Sequence, residues 1–460
     1  MKRIHPREFI NSNLYTISTW TRCKEMNFLN NFSNVNSEII LKAKAEFGSP
    51  IYLYDEEVVI KKCKSILSMP NAFGIRVRYA MKANSNKTLL QIITGQGINI
   101  DASSLNEVRR AVAAGIKPDC IMMTSQEVPE DDDRCELEEL ILRGLKYNVC
   151  SLRQLYLIGS FAKEKNIELS VRLHPGIGSG ESATRNTGDN YSCFGIHLTD
   201  LDEMFRYADQ IGLKFSQVHV HIGSGGDPEM WRKNIDLELG LVEKYFPDAS
   251  IVSFGGGLKE SRMPSEISAD ISALGKYASD QIDRFYKKTK RKLIMEIEPG
   301  TFIVANAGYV ITKVLDKKQT GAGGQRFVIV NGGMDVNTRP LLYGSKHPFY
   351  IISKDGQLLS SDFEDKPNDL LSEMIVVGTC CESGDSLCLD FHGNSIPRRI
   401  AEPEINDIVV IGGAGAYCSS MAPFNYNSHT QIPEVIFKTD GELKLVRRRQ
   451  TLQQIMQNEL

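Results

Sequence analysis

GINIDASSLNEVRRAVAAG, residues 97–115, changes its hydrophobic period midway. Up to Ala102 it reads as a short β run. From Leu105 the apolar residues recur at helical spacing. Ser104 stands between the two as an N-cap, and Glu107 three residues on is the mark of a capping box. The stretch is one strand–helix unit. Seven more strand candidates lie between about residues 56 and 305: GIRVRYAMKA, CIMMTS, LKYNVCS, ELSVRLHP, FSQVHVHIGS, SIVSFGGG and LIMEIEPG. Segments with helical spacing, such as SLRQLYLIGSFAKEK, separate them. Eight strands alternating with helices over about 250 residues is what a (β/α)8 TIM barrel requires. Most of the strands read as apolar runs, as parallel strands buried on both faces should.

After Gly308 the rhythm changes. GYVITKVLD, QRFVIVNGG, FYIISKDG, EMIVVGTC, NDIVVIGGAGAY, PEVIFKTDG and LKLVRRR are short β runs with Asp-Gly and Gly-Gly turns and little helix between them. They indicate a second, mostly antiparallel β domain. The expected organisation is therefore an N-terminal segment, 1–55, packing on the β domain; a barrel, 56–305; and a C-terminal β domain, 306–460. FGSPIYLYD reads as a strand lead-in and TLQQIMQNEL as a short terminal helix. The acidic EDDDR around Asp131 reads as a solvated loop.

The chain has 460 residues, a net charge of −3 and 42% apolar residues. That is an ordinary soluble composition, long enough for two or three domains. Near-balanced charge gives no reason to expect nucleic acid or an anionic membrane as partner. No apolar run approaches the roughly 18 residues a membrane helix needs, and the basic N-terminus lacks the apolar core of a secretory signal. The ten cysteines are scattered without a CxxC pair, the pattern of reduced cytoplasmic thiols rather than of disulfides or a zinc site.

A parallel barrel does its chemistry at the C-terminal ends of its strands. There the first strand ends on Lys82, in YAMKANSN, and the second near Asp101. The fifth carries Arg172 and His174. The sixth carries His219 and His221, followed by Gly223, Ser224 and Gly225; the seventh ends on Gly255–Gly257 and the eighth on Glu298-Pro299-Gly300. A lysine amine at a pocket mouth can react with a carbonyl; the plainer alternative is a lysine that reaches water along its own stem. Glycine-rich turns let backbone N–H groups approach a phosphate, although each alone reads equally as a turn. His219 and His221, two apart on a strand, point to one face. They suit a metal pair, or one ring stacked on a flat ligand and one packed in the barrel; no second His pair accompanies them, so no metal is expected. Glu298 can keep a heteroaromatic nitrogen protonated. An amine, a phosphate cradle and a carboxylate together describe a pyridoxal phosphate site.

These motifs, in this order, resemble the alanine-racemase-like (fold type III) pyridoxal phosphate decarboxylases. RPLLYG (339–344), CESGD (381–385) and GAGAYCSSMAPFNYN (413–427) are similar to the diaminopimelate decarboxylase family among them. The resemblance spans roughly residues 45 to 450. It implies pyridoxal 5'-phosphate as cofactor and α-decarboxylation of meso-2,6-diaminopimelate to L-lysine, the last step of lysine biosynthesis. Lys82 would form the Schiff base and His221 would stack on the ring. Ser224, Gly256, Gly257, Gly300 and Tyr426 would hold the phosphate, with Asp101 and Arg172 also at the cofactor, and Glu298 would pair with the pyridine nitrogen. Arg339, Tyr343 and Tyr426 would contact substrate. Cys381 and Glu382 would come from the neighbouring subunit of a homodimer, near the reacting carbon and the distal amine. Glu382 favours diaminopimelate, because relatives acting on ornithine or arginine carry aspartate after this cysteine.

The chain departs from the family pattern at EPGT, where the family reads EPGR. That arginine helps anchor a substrate carboxylate. Thr301 replaces it here, and Arg185, in the insert GIGSGESATRNTGDN, is the candidate stand-in. His174 replaces the family's asparagine. EPGT also leaves room for a decarboxylase of another basic or carrier-bound amino acid. A metal-dependent barrel hydrolase using His219 and His221 is a further alternative. A non-catalytic pyridoxal phosphate binder is disfavoured by the residues after Gly308, since such proteins lack the β domain.

Overall fold

The computed structural model describes residues 35–179, 185–224 and 227–460. Most of the expected N-terminal segment, the middle of the glycine-rich insert, and Gly225 lie outside the described residues. The chain enters through a helix (Ser37–Phe47) and strand β1 (Ile51–Asp55). It then builds β2 (Ile75–Ala80), β3 (Asn99–Ala102), β4 (Ile121–Thr124), β5 (Lys146–Val149), β6 (Leu169–His174), the two-residue β7 (Ile196–His197), β8 (Phe215–Val220), β9 (Ile251–Ser253) and β10 (Ile294–Ile297). Apart from β7, a side pairing on β6, these strands form a closed parallel eight-stranded barrel. Neighbours pair in chain order, and β2 meets β10 to complete the ring. All eight strand candidates fall on these eight strands. The strand–helix unit of residues 97–115 resolves as β3 and a helix over Leu105–Ala113, whose first turn is capped by Ser104 Oγ accepting from the Glu107 N–H. The Glu107 carboxylate reaches back to the N–H of Ser103, one residue before the cap.

The barrel interior is more polar than apolar strand runs suggest. Alternate residues point inward, and on β2 these are Arg76, Arg78 and Ala80, while Val77 and Tyr79 pack against the helices. Arg78, fully buried, donates to Glu296 Oε2 at 2.8 Å, and Gln217 donates to Glu296 Oε1 at 2.6 Å. A layer higher, Asn148 binds His219, Thr124 and Ser170. The apolar core lies between strands and helices, and the barrel's axis is a hydrogen-bonded polar stack.

One expectation is corrected. EDDDR is not a loop: Asp131, Asp132 and Asp133 form the first turn of the helix Asp131–Leu142. Carboxylates there face the positive end of the helix dipole, and Asp133 and Glu136 both pair with Arg109 of the preceding helix.

Beyond the barrel lie β11 (Gly308–Gln319), β12 (Arg326–Val330), β13 (Phe349–Ile352), β14 (Leu358–Ser361), β15 (Ser372–Val377), β16 (Arg398–Ile400), β17 (Ile408–Ile411), β18 (Glu434–Phe437) and β19 (Leu443–Arg447). With β1 they make a mostly antiparallel ten-stranded sheet. β1 sits inside this sheet, antiparallel to β11 with Tyr54 opposite Gly308, and parallel to β18. TLQQIMQNEL carries a helix over Leu452–Met456 with a capping box from Thr451 and Gln454. The described cysteines are all free, and no helix among the described residues is long and apolar enough to cross a membrane.

Candidate active site

The C-terminal mouth of the barrel opens into a cavity of about 500 Å³ against the β domain. Lys82 enters it from the turn Met81–Ala83 that ends β2. Lys82 is exposed to the cavity between buried Met81 and Ala83. The polar turn after it is clamped by the β domain. The Ala83 carbonyl accepts from the Tyr417 N–H at 2.8 Å and from Ser420 Oγ at 3.0 Å, and Asn84 Nδ2 donates to the Gly415 carbonyl at 3.2 Å. Asn86 caps the next helix and donates to buried Glu434. YAMKANSN is thus a strand end held rigid on both sides, with one amine left facing the cavity.

Glu298, one residue past β10, faces the same space. His219 Nε2 stands 3.1 Å from its Oε2, and Ser253 Oγ donates to its Oε1 at 3.3 Å. Burial alone would raise its pKa. His219, at 3.1 Å, and Arg172 outweigh burial and bring Glu298 down to about 2. Asp101 moves the other way, raised by burial first and then by the charge of Glu298. Burial, followed by the charges of Arg172 and Lys82, lowers His221 well below an ordinary histidine. Its Nδ1 accepts from the Gly256 N–H at 3.1 Å, which leaves the neutral ring held edge-on by the glycine turn.

That turn admits no side chains. A Cβ on Gly255 would lie 2.7 Å from His221 Nδ1, on Gly256 2.5 Å from the Glu298 carbonyl oxygen, and on Gly257 2.5 Å from the Gly223 carbonyl oxygen. Ser224 and Gly300 complete this side of the cavity. Asp101 Oδ1, Arg172 Nε and Arg339 Nε are buried here without a hydrogen-bond partner among the described residues. An amine, an ionised carboxylate, a bare backbone cradle and unsatisfied polar atoms suit a phosphorylated heteroaromatic aldehyde.

The opposite wall is cationic. Arg339 and Tyr343 come from the turn Arg339–Tyr343, and Arg185 from the insert. The Arg185 guanidinium stacks 4.6 Å over the Tyr343 ring and donates to Ser345 Oγ at 2.6 Å. Arg339 reaches the same hydroxyl at 3.3 Å. The insert is tied down by His174, whose Nδ1 accepts from the Gly176 N–H while its other ring nitrogen donates to the Ser192 carbonyl. His174 therefore fastens both ends of the insert.

Twelve expected residues line this one cavity: Lys82, Asp101, Arg172, Arg185, His221, Ser224, Gly256, Gly257, Glu298, Gly300, Arg339 and Tyr343. Three do not. Cys381, Glu382 and Tyr426 stand together, exposed, on another face of the β domain. Tyr426 Oη donates to Glu382 Oε2 at 2.9 Å, and the Cys381 N–H donates to Asn427 at 2.7 Å. Tyr426, expected at the phosphate, does not line this cavity; from its turn (Tyr426–Ser428) its hydroxyl meets Glu382. Tyr417, in the same motif, lines the cavity instead, with its hydroxyl 3.3 Å from where a Gly300 Cβ would be. Arg262 and Thr301 also line it. Sequence reasoning passed over Tyr417 and Arg262: GAGAY shows no more than a turn, and Arg262 follows the glycine turn in an irregular loop.

Comparison with known proteins agrees with this geometry. Residues 57–305 match the family model "Pyridoxal-dependent decarboxylase, pyridoxal binding domain". The chain is 33% identical to diaminopimelate decarboxylase of Escherichia coli (strain K12) over 435 residues, covering 93% of this chain and 98% of the relative. It is 31% identical to the Streptomyces coelicolor diaminopimelate decarboxylase, covering 91% of each. A crystal structure of diaminopimelate decarboxylase superposes with a TM-score of 0.83 at 31% identity, over 94% of this chain and 98% of that one. The Helicobacter pylori diaminopimelate decarboxylase complexed with L-lysine superposes with a TM-score of 0.74 at 28% identity, over 91% of this chain and 98% of that one.

Proposed function

Because the chain belongs to the pyridoxal-dependent decarboxylase family, we propose that it removes the α-carboxylate of meso-2,6-diaminopimelate, giving L-lysine and carbon dioxide in the last step of lysine biosynthesis. The observation that carries this reading is the single cavity in which Lys82 and Glu298 face a wall of arginines. One end suits the reacting carbon and the other suits a second carboxylate, as a dicarboxylic diamino acid requires.

Pyridoxal 5'-phosphate, when bound, supplies a carbonyl for the substrate amine and a ring that takes up the electron pair of the broken carbon–carboxylate bond. Lys82 is the amine that would hold the cofactor and give way to the substrate amine. Ser224, Gly257, Gly300 and Tyr417 would hold the phosphate with N–H and O–H donors, and Gly256, whose N–H is on His221, would line it. Glu298, kept ionised, would face the ring nitrogen and keep it protonated. Asp101 and Arg172 would line the cofactor end, and neutral His221 would pack on the ring without competing for that proton. Arg339 and Tyr343, with Arg185 stacked behind them, face the carboxylate that stays. Lys82, or Cys381 from a second copy of the chain, returns a proton to Cα after carbon dioxide leaves. Glu382 of that copy meets the distal amine, with Tyr426 setting its orientation. The working form is a homodimer with sites at its interface, and free cysteines suit the reducing cytoplasm.

The test is lysine formation by the purified, cofactor-loaded protein from meso-diaminopimelate, with ornithine, arginine and lysine as parallel substrates. Lysine from diaminopimelate alone is the expected result. A visible band near 420 nm, the order expected of a lysine–pyridoxal link, without lysine formation would move the activity to another amino acid.

A further inference from the structure

Thr301 lines the cavity where the resemblance calls for an arginine. A threonine hydroxyl cannot supply the charge or the forked donors that bind a carboxylate. A guanidinium enters the same cavity from another element, the irregular segment between β9 and the helix Ile271–Thr289. It belongs to Arg262, which is nine-tenths buried although it is an arginine in a loop.

Three features hold Arg262 in place. Its Nε donates to the Gly413 carbonyl at 2.9 Å, and its N–H donates to Glu266 Oε2 at 2.7 Å. The loop before it is pinned by Glu260, which accepts from Lys62 Nζ at 2.8 Å and from Asn306 Nδ2 at 2.9 Å. The Arg262 stem lies on bare backbone: a Cβ on Gly413 would stand 2.8 Å from Arg262 Cγ and 2.9 Å from Cδ. Gly413 also has φ +63°, so glycine is favoured there twice over. Arg262 is close enough to Arg339 that its charge, after burial, is the main cause pulling Arg339 down to about 9, with Arg185 adding to it. Glu266 lines the cavity beside them, and three guanidinium groups on one cavity still favour an anion there.

We infer that Arg262 takes the place of the family arginine and, with Arg339, binds the distal carboxylate of the substrate, the one retained in the product. This assignment rests on the decarboxylase reading of the cavity. It gives Arg185, stacked on Tyr343 and tied to Ser345, the supporting position and Arg262 the direct one.

L-Lysine and cadaverine differ only by that carboxylate, so their affinities for the cofactor-loaded protein, measured by calorimetry, isolate it. In Arg262→Met the dissociation constant for lysine rises about tenfold or more, as loss of a charge-assisted bond implies, while that for cadaverine stays within about twofold. KM for meso-diaminopimelate rises in parallel and kcat changes little. Thr301→Arg in the Arg262→Met background restores lysine binding, and Arg262→Lys, which keeps the charge, guards against misfolding of the methionine variant. Equal effects on lysine and cadaverine, or none on either, would overturn the assignment. Failure of the wild-type protein to make lysine would instead reject the decarboxylase reading, and the lysine-to-cadaverine ratio would still decide whether Arg262 binds a carboxylate.

Discussion

Glu298 differs from an ordinary carboxylate through its neighbours rather than its burial, and its pH behaviour follows from them. Its folded pKa of about 2 lies below the unfolded value of about 4.3, so its contribution to stability is present above pH ~4.3 and disappears as pH falls through about 2. Any acid limb of kcat/KM between pH 5 and 7 would therefore belong to other groups. Glu298→Gln should lower kcat by at least about 100-fold while the visible cofactor band survives; full activity in that variant would remove the carboxylate from the reaction. His347 illustrates the same sign for a histidine. Burial, then Arg262 and Arg339, lower its pKa, and its ring donates through Nδ1 to the Gly412 carbonyl. Its stabilising effect is complete above about pH 6.5 and is lost on acidification below that. Urea unfolding across pH 5 to 7 should show stability falling with pH, with a shallower slope in His347→Gln. Residue by residue, the sequence exposes the groups at strand ends, because a strand's last residue is visible in its own pattern. It does not separate Tyr417 from Tyr426, nine residues apart in one motif. That choice depends on how the backbone turns between them, including a positive φ at Tyr417, a non-glycine.

At the scale of elements, the eight barrel strands and most of the second sheet are legible because their apolar runs are bounded by turns. What the runs conceal is the inward-facing half of each strand. Arg78 on β2, Gln217 on β8 and Glu296 on β10 read as interruptions in sequence, yet they meet inside the barrel as one network. Only the closed ring brings residues 78, 217 and 296 together. Removing one partner leaves a buried charge, so Glu296→Ala should cost about 3–5 kcal/mol of stability, measurable as a lower denaturation midpoint. A neutral effect would mean that water reaches Arg78. β14 and β16, short and polar, escape sequence reading for the opposite reason: their pairing comes from neighbouring strands rather than from a pattern of their own. The acidic run at Asp131 starts a helix that its charge alone does not distinguish from a loop, because charge density suits both.

At the scale of the molecule, the separation of Cys381, Glu382 and Tyr426 from the chain's own cavity makes a quantitative statement about assembly. If these residues complete a neighbour's site, Lys82→Ala and Cys381→Ala are each defective as pure proteins. Mixing them equally after dissociation should recover about a quarter of wild-type activity, because half the dimers then carry one intact site. No recovery, with subunit exchange demonstrated, would confine each site to one chain. A different consequence follows from β1. Its partner residues Tyr54 and Gly308 are separated by the whole barrel, and its other partner, β18, comes later still. During synthesis at roughly 5–20 residues per second, the apolar strand IYLYD waits on the order of 10–50 s before Gly308 is made. The barrel has all of its strands before β1 has any of its neighbours. Among the described strands, the order of appearance on the ribosome is therefore the reverse of the order of completion: the earliest, β1, belongs to the last domain to close.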